Sequence, residues 1–297
     1  MTTLLITGAG GQLGSDLLEA AAAAGIPATG HASAALDITD RAAVERAVSN
    51  VVHGADRPVV INAAAYTAVD AAETDAERAF AVNESGARNL AEAAVEHGAR
   101  MIHVSTDYVF PGDAQHPYQV DDPTGPKNVY GASKLAGEQA VLTAHPAAHV
   151  VRTAWVYGAA SGGNFVKTMS RLESTNPSIA VVDDQWGSPT WSADLAAGLI
   201  ALAGADVPGG VLHATGGGQT SWFGFARAIF EELGADPERV RPISTDAFPR
   251  PAPRPAYSVL SADAWVAAGL PSLRHWRDAL ADAFRLHSSA FRPSTGD

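Results

Sequence analysis

Two short stretches carry residues able to do proton chemistry. In "YGASK", Tyr130 and Lys134 stand four residues apart, which puts them on one face of a predicted helix. An ammonium beside a phenol stabilises the phenolate and lowers a pKa that starts at about 10. The phenol then becomes a usable proton donor and acceptor near neutrality, and the same lysine can hold ribose hydroxyls of a cofactor. With 6 tyrosines and 3 lysines in the chain, random placement yields only about 0.06 such pairs. The second stretch, "VSTDYVFPG", ends an apolar run on Ser105, Thr106 and Asp107, 24 residues before the tyrosine when counted from Thr106. Open α/β sheets bind ligands at the carboxyl ends of their strands, so both stretches point to one site.

A cofactor loop precedes them. "TGAGGQLG" places Gly8, Gly11 and Gly14 after a first strand and at the start of its helix. Glycine there permits a tight turn, close approach of a pyrophosphate and close helix–strand packing, with the phosphates at the positive helix N-terminus. Past the second strand, "ATGHASAALDITD" offers His31 and, further on, Asp37. A ribose-binding acid favours NAD and a cation favours NADP, and His31 is at best half a cation. NADPH or NADH is therefore the expected cofactor, with the choice open. Asp37 and Ile38 are placed to flank the adenine, and Asp37 to Asp40 also read as a helix cap.

Positioning these residues requires alternating strands and helices. Strands are expected at residues 4–8, 58–65, 100–106 and 149–158, and helices at 12–24 and 75–97. The strands are apolar on both faces, as buried parallel strands are. The expected fold is α/β: a Rossmann-type doubly wound parallel sheet over residues 1–155, with a smaller α/β C-terminal substrate-binding lobe over 156–297, some later segments returning to the sheet. Helices are expected in that lobe at 194–203, 222–233 and 276–286, and the tail "RPSTGD" is expected to fray.

Composition bounds the function. Of 297 residues, 46% are hydrophobic and 18% charged, an ordinary globular balance. A net charge of −12 argues against nucleic acid and anionic membrane as partners, and the absence of cysteine removes disulfides and thiolate chemistry. No apolar run reaches the roughly 18 residues a membrane span needs. Met1-Thr2-Thr3 carries no basic side chain and runs straight into a strand, so a cytoplasmic location is expected.

The glycine loop, "NAAAYTAVDAAE", "STDYVF" and "NVYGASKLAGE" together resemble the extended short-chain dehydrogenase/reductase superfamily and, within it, the dTDP-4-dehydrorhamnose reductase family. The likeness continues through "RTAWVYG", "GGNFVKTM", "VVDDQWGSPTW" and "RPAYSVLS", covering nearly the whole chain. It implies NAD(P)H-dependent reduction of the 4-keto group of dTDP-4-dehydro-L-rhamnose to dTDP-L-rhamnose, in nucleotide-sugar biosynthesis. It further implies Thr106, Tyr130 and Lys134 as the catalytic residues. Gly11-Gln12-Leu13, Asp37-Ile38, Ala63-Ala64-Ala65 and Val104 are the implied cofactor contacts, and Thr106, Asp107 and Trp155 the implied substrate contacts. The family's Asp-Lys-Ala-Glu is Asp70-Ala71-Ala72-Glu73 here, a departure that leaves the catalytic trio untouched. Trp155 could stack on base or sugar, or serve as core. Arg254 could meet the diphosphate with its fork of donors, and Asn164 and Lys167 are further candidates.

Other readings stand beside this one. A dehydratase of the same superfamily has Glu after Thr-Asp, where this chain has Tyr108. An epimerase, or a regulatory subunit like the beta subunit of methionine adenosyltransferase, shares the fold, although the intact trio argues for an enzyme. No metal site is expected: His145 and His149 are separated by Pro146, which breaks the helix between them. A homodimer remains possible.

Overall fold

Strands that are apolar on both faces need cover above and below. In the computed structural model, which describes residues 2–160 and 162–292, the first half of the chain supplies it. The tail beyond Arg292 lies outside the described residues. In order come β1 (Thr2–Thr7), α1 (Gln12–Ala23), β2 (Ala28–His31), α2 (Arg41–Val52) and β3 (Arg57–Asn62). Next are α3 (Val69–Ala72), α4 (Ala76–Phe80), α5 (Ala87–Glu96), β4 (Arg100–Thr106), α6 (Val129–Ala144) and β5 (His149–Thr153). The rest comprises β6 (Val156–Tyr157), α7 (Phe165–Thr175), β7 (Ile179–Val182), β8 (Trp186–Gly187), β9 (Thr190–Trp191) and α8 (Ser192–Gly204). It ends with β10 (Gly210–His213), β11 (Thr220–Ser221), α9 (Trp222–Leu233), β12 (Val240–Ile243), α10 (Asp263–Ala267), α11 (Trp276–Leu286) and α12 (Ser288–Phe291).

Six strands form one parallel sheet in the order β10-β5-β4-β3-β1-β2. The chain reverses direction across the sheet between β1 and β3, the place where open α/β sheets bind ligands. Alternation divides the side chains cleanly. Leu4, Ile6, Val59 and Ile61 pack under α1 and α8, and Leu5, Val60 and Met101 pack under α2, α5 and α6. Fully burying each such side chain contributes roughly 1.5–3 kcal/mol. A third cluster, around Tyr157, Phe225, Phe230 and Leu280, is built from residues after 155. The Rossmann-type doubly wound sheet is thus present.

Three expected elements differ in extent. The strand expected over 58–65 stops at Asn62, whose Oδ1 accepts the Ala64 N–H at 3.1 Å and turns the chain away. The strand expected over 149–158 breaks at Trp155, a non-glycine residue at φ +49°. The helix expected over 75–97 is interrupted by a π-helical turn at Ala81–Gly86. There Asn83 points inward: its Oδ1 accepts from Tyr66 N at 2.8 Å, and its Nδ2 donates to Tyr66 O at 3.1 Å and Ser133 Oγ at 2.9 Å. Hydrophobic periodicity does not reveal one extra residue in a turn.

That turn lets α6 approach closely. A Cβ on Gly137 of α6 would lie 2.0 Å from the Asn83 carbonyl oxygen, a backbone atom. Gly137→Ala is therefore expected to destabilise the chain by about 1–3 kcal/mol, the usual cost of overpacking, despite alanine's better helix propensity. Urea unfolding checks this, and unchanged or increased stability would refute the close approach.

Candidate active site

The glycine loop suits a phosphate-bearing cofactor by geometry. Gly8 adopts φ +72°, and a Cβ there would sit 2.6 Å from the Ala63 carbonyl; a Cβ on Gly14 would sit 2.2 Å from the Gly8 oxygen. The turn closes through Gly11 N–H to Gly8 O at 2.9 Å. Helix α1 begins at Gln12 with no side-chain cap and no acid in its first turn, so its free N–H groups and positive end face outward uncompensated. Ala63, Ala64 and Ala65 follow β3 beside this loop as partly buried small residues. These features fit NAD(P)H. Leu13 instead packs partly into the core, and Ile38 is buried against Gly86. Asp37 is exposed, and its Oδ1 accepts from Thr39 N and Oγ1 at 2.9 and 2.8 Å, which keeps its pKa below the ordinary value.

Thr106, Asp107, Tyr130 and Lys134 meet at the carboxyl end of β4, beneath the first turns of α6. Asn128 starts that helix by accepting the Gly131 N–H at 2.8 Å, and Glu73 accepts the Val129 N–H at 2.9 Å. Thr106 Oγ1 donates to Asp107 Oδ1 at 2.9 Å. Asp107 is only 2% exposed, and its Oδ2 has no hydrogen-bond partner of normal geometry among the described residues, although the Ser258 hydroxyl is near enough to ease its charge. Burial raises its pKa to about 6. Tyr130 lies close to Thr106 and is pushed up to about 12, chiefly by burial, then by the charge of Asp107. Tyr108 packs edge-on against it, ring centroids 5.6 Å apart.

Lys134 is buried, and its Nζ donates to the Val104 carbonyl at 2.7 Å. Burial lowers its pKa to about 8, opposed by Glu138. Burial leads the upward shift of the Tyr130 phenol, and its bond to Thr106 opposes it. The Lys134 ammonium is turned toward the strand.

The second-lobe candidates separate. Trp155 is half-buried and stacked on Trp222, centroids 3.4 Å apart and planes within 5°. Its positive φ costs about 1–3 kcal/mol, strain of the kind that concentrates at functional sites. Arg254 is already engaged, its Nη2 2.9 Å from Asp70 Oδ1. Asn164 caps α7 and donates to Gln12 Oε1 at 2.7 Å, so it ties the lobe to the glycine loop. Lys167 bonds the carbonyls of Ala159, Ala160 and Gly162. His145 and His149 bond the carbonyls of Ala99 and Val207.

With this geometry in place, comparison with known proteins is decisive. Residues 1–288 match the family described as "RmlD substrate binding domain". The chain belongs to this family. It is 57% identical over 284 residues to the dTDP-4-dehydrorhamnose reductase of Mycobacterium tuberculosis strain H37Rv, covering 94% of this chain and 91% of that one. It is 50% identical over 299 residues to the Streptomyces griseus dTDP-4-dehydrorhamnose reductase, covering 98% and 96%. The crystal structure of the Bacillus anthracis dTDP-4-dehydrorhamnose reductase in complex with NADP superposes with a TM-score of 0.89 at 39% identity, over 95% of this chain and 98% of that one. A Streptomyces venezuelae dTDP-glucose 4,6-dehydratase, at 20% identity and a TM-score of 0.81, shares the fold.

Sequence reasoning missed Ser258, Glu73, Asn128 and the buried pair Asn62 and His103. Only a polar residue set within an apolar strand run could have flagged the last two. The site's buried acid supplies a test. Below its unfolded pKa of about 3.9, Asp107 is protonated in both states and costs nothing; between there and about 6 the unfolded chain ionises while the fold holds the proton, so stability falls across that window and the loss is complete above it. Asp107→Asn should therefore stabilise by roughly 2–3 kcal/mol at pH 8 and hardly at all at pH 4. Thermal unfolding at both pH values measures it; an equal change at both would show that Asp107 is not held against ionisation.

Proposed function

We propose that this chain reduces the 4-keto group of dTDP-4-dehydro-L-rhamnose to give dTDP-L-rhamnose, using NADPH or NADH. One observation carries the reading: Thr106, Tyr130 and Lys134 converge at one strand end beside an uncapped glycine-loop helix. They do so in a chain 57% identical, across 94% of its length, to a dTDP-4-dehydrorhamnose reductase.

The cofactor lies along Gly8, Gly11, Gly14 and the alanines after β3, and when bound supplies a hydride to the sugar carbonyl carbon. Tyr130 gives its proton to the carbonyl oxygen. A phenol raised to about 12 holds that proton firmly at neutral pH, the protonation state that reduction requires. Thr106 turns its hydroxyl hydrogen from Asp107 to the same oxygen and stabilises the charge developing there. Lys134 holds cofactor ribose hydroxyls and, as a cation, eases the phenolate left on Tyr130. Asp107, with one oxygen unbonded, receives sugar hydroxyls. Tyr108 packs where a dehydratase needs a carboxylate, which favours simple ketone reduction.

Residues 1–155 hold the cofactor and residues 156–297 mainly the sugar nucleotide, and at the boundary Trp155 presents a strained, stacked ring. Engagement of the diphosphate by Arg254 requires exchange of its contact with Asp70. The expected setting is the cytoplasm. No helix among the described residues is long and apolar enough to cross a membrane.

Absorbance of NADH and NADPH with freshly prepared dTDP-4-keto-6-deoxy sugar tests the activity; folded protein that oxidises neither would remove it. Tyr130→Phe should lose about 10²–10⁴ in turnover while binding cofactor as before, and near-normal turnover would exclude Tyr130 as the acid. Because Lys134 is protonated below about 8, kcat/KM should decline above that pH. A profile flat to about pH 10, the ordinary lysine range, would deny the lysine its role.

A further inference from the structure

A buried polar row crosses three adjacent strands of the sheet. Thr7 on β1, Asn62 on β3 and His103 on β4 are register partners, on the face that Leu5, Val60 and Met101 continue as core. Each is no more than 1% exposed. An unpartnered group there costs about 1–3 kcal/mol, so the direction of every bond in the row matters.

The backbone N–H of Ala64 donates to Asn62 Oδ1 at 3.1 Å, and Thr7 Oγ1 donates to the same oxygen at 2.7 Å. A backbone N–H cannot accept, which fixes the amide: Asn62 Nδ2 faces Nδ1 of His103 at 3.0 Å. Nδ1 must accept, so in the neutral ring the hydrogen sits on Nε2. Nε2 faces Lys134 Nζ at 3.5 Å, while Nζ donates to the Val104 carbonyl at 2.7 Å.

We propose that His103 is a positioning residue for Lys134, a neutral imidazole locked by Asn62 in the one tautomer that directs an N–H at the lysine nitrogen. A donor facing a donor turns the ammonium hydrogens away from His103, toward the Val104 carbonyl and the cavity. It also disfavours the ammonium relative to the amine, whose lone pair can accept from Nε2–H. Burial acts in the same direction on Lys134, and burial followed by the lysine's charge holds His103 well below the ordinary histidine range. Other titratable groups about the site are Tyr130 and Glu138 on the same helix and Asp107 just past β4, and Glu138 is paired with Arg152 of β5 at 2.8 Å. The proposal rests on the reading that Lys134 works at the site.

Long-range proton–nitrogen correlation spectra of the whole chain, with ring-labelled histidine and His103 assigned by its loss in His103→Phe, test the tautomer directly. A neutral Nε2–H ring from about pH 5 to 9 is expected; an Nδ1–H ring, or one that titrates in that span, overturns the proposal. In His103→Phe the Lys134 titration midpoint, followed at its side-chain carbon, should rise by about one pH unit, and an unmoved midpoint overturns it. Should that variant not fold, Asn62→Asp serves. Its carboxylate only accepts, so the hydrogen should move to Nδ1 and the Lys134 midpoint should again rise; retention of Nε2–H overturns the proposal. Failure of the underlying catalytic reading looks different: Lys134→Met turns over near normally while the wild-type tautomer stays as described.

Discussion

The site depends on how closely α6 lies against the chain beneath it. At Gly131 a Cβ would stand 2.2 Å from the Tyr108 carbonyl oxygen, and at Gly137 2.0 Å from that of Asn83. Neither gap admits an alanine methyl without moving backbone. Held at these contacts, the helix carries Tyr130 and Lys134 to the end of β4, close enough for the lysine to reach a strand carbonyl. Asn83 fixes the lower surface by bonding both backbone groups of Tyr66 and the hydroxyl of Ser133. Asn128 and Glu73 fix the start of the helix. The chemistry is thus placed by glycines and amides that take no part in it.

That close packing excludes water, and the exclusion sets the electrostatics. Asp107 and Tyr130 are raised and Lys134 is lowered, each with burial as the leading cause and each toward its neutral form. A site poised in this way responds strongly to charge arriving with a ligand, because little solvent screens it. Two cations are already engaged: Asp70 takes both Arg250 and Arg254. In a chain of net charge −12, the start of α1, with no side-chain cap and no acid in its first turn, is a local positive end of the kind that favours anions.

The sequence made the chemistry more legible than its supports. The spacing of Tyr130 and Lys134, the glycine loop and the end of β4 could be read because each follows a local rule of helix face, turn or strand end. The π-turn could not, since one added residue leaves the apolar pattern of 75–97 intact. The partner of Lys134 could not be read either: its one-turn spacing from Tyr130 is local, but its bond to Val104 O depends on a strand 30 residues away. Arg254 and Asn164 looked free as letters, yet both hold partners distant in sequence, Asp70 and Gln12. What escaped reading is pairing across the fold.

Those distant pairs also explain why the two halves need not act independently. The first turns of α1 serve both. The backbone of Gly11 and Gln12 forms the glycine loop, while the Gln12 side chain bonds Asn164 and Asp16 accepts from Ser192. Gly158 keeps this junction tight, because a Cβ there would lie 2.2 Å from the Ser192 hydroxyl and 3.2 Å from the Gln12 Cβ. A shift of α1 must therefore be taken up by α7 and α8, whose starts Asn164 and Ser192 mark. Trp155, whose ring stacks on Trp222 of α9, lies three residues before Gly158. One helix end thus joins the glycine loop to the elements that follow residue 155.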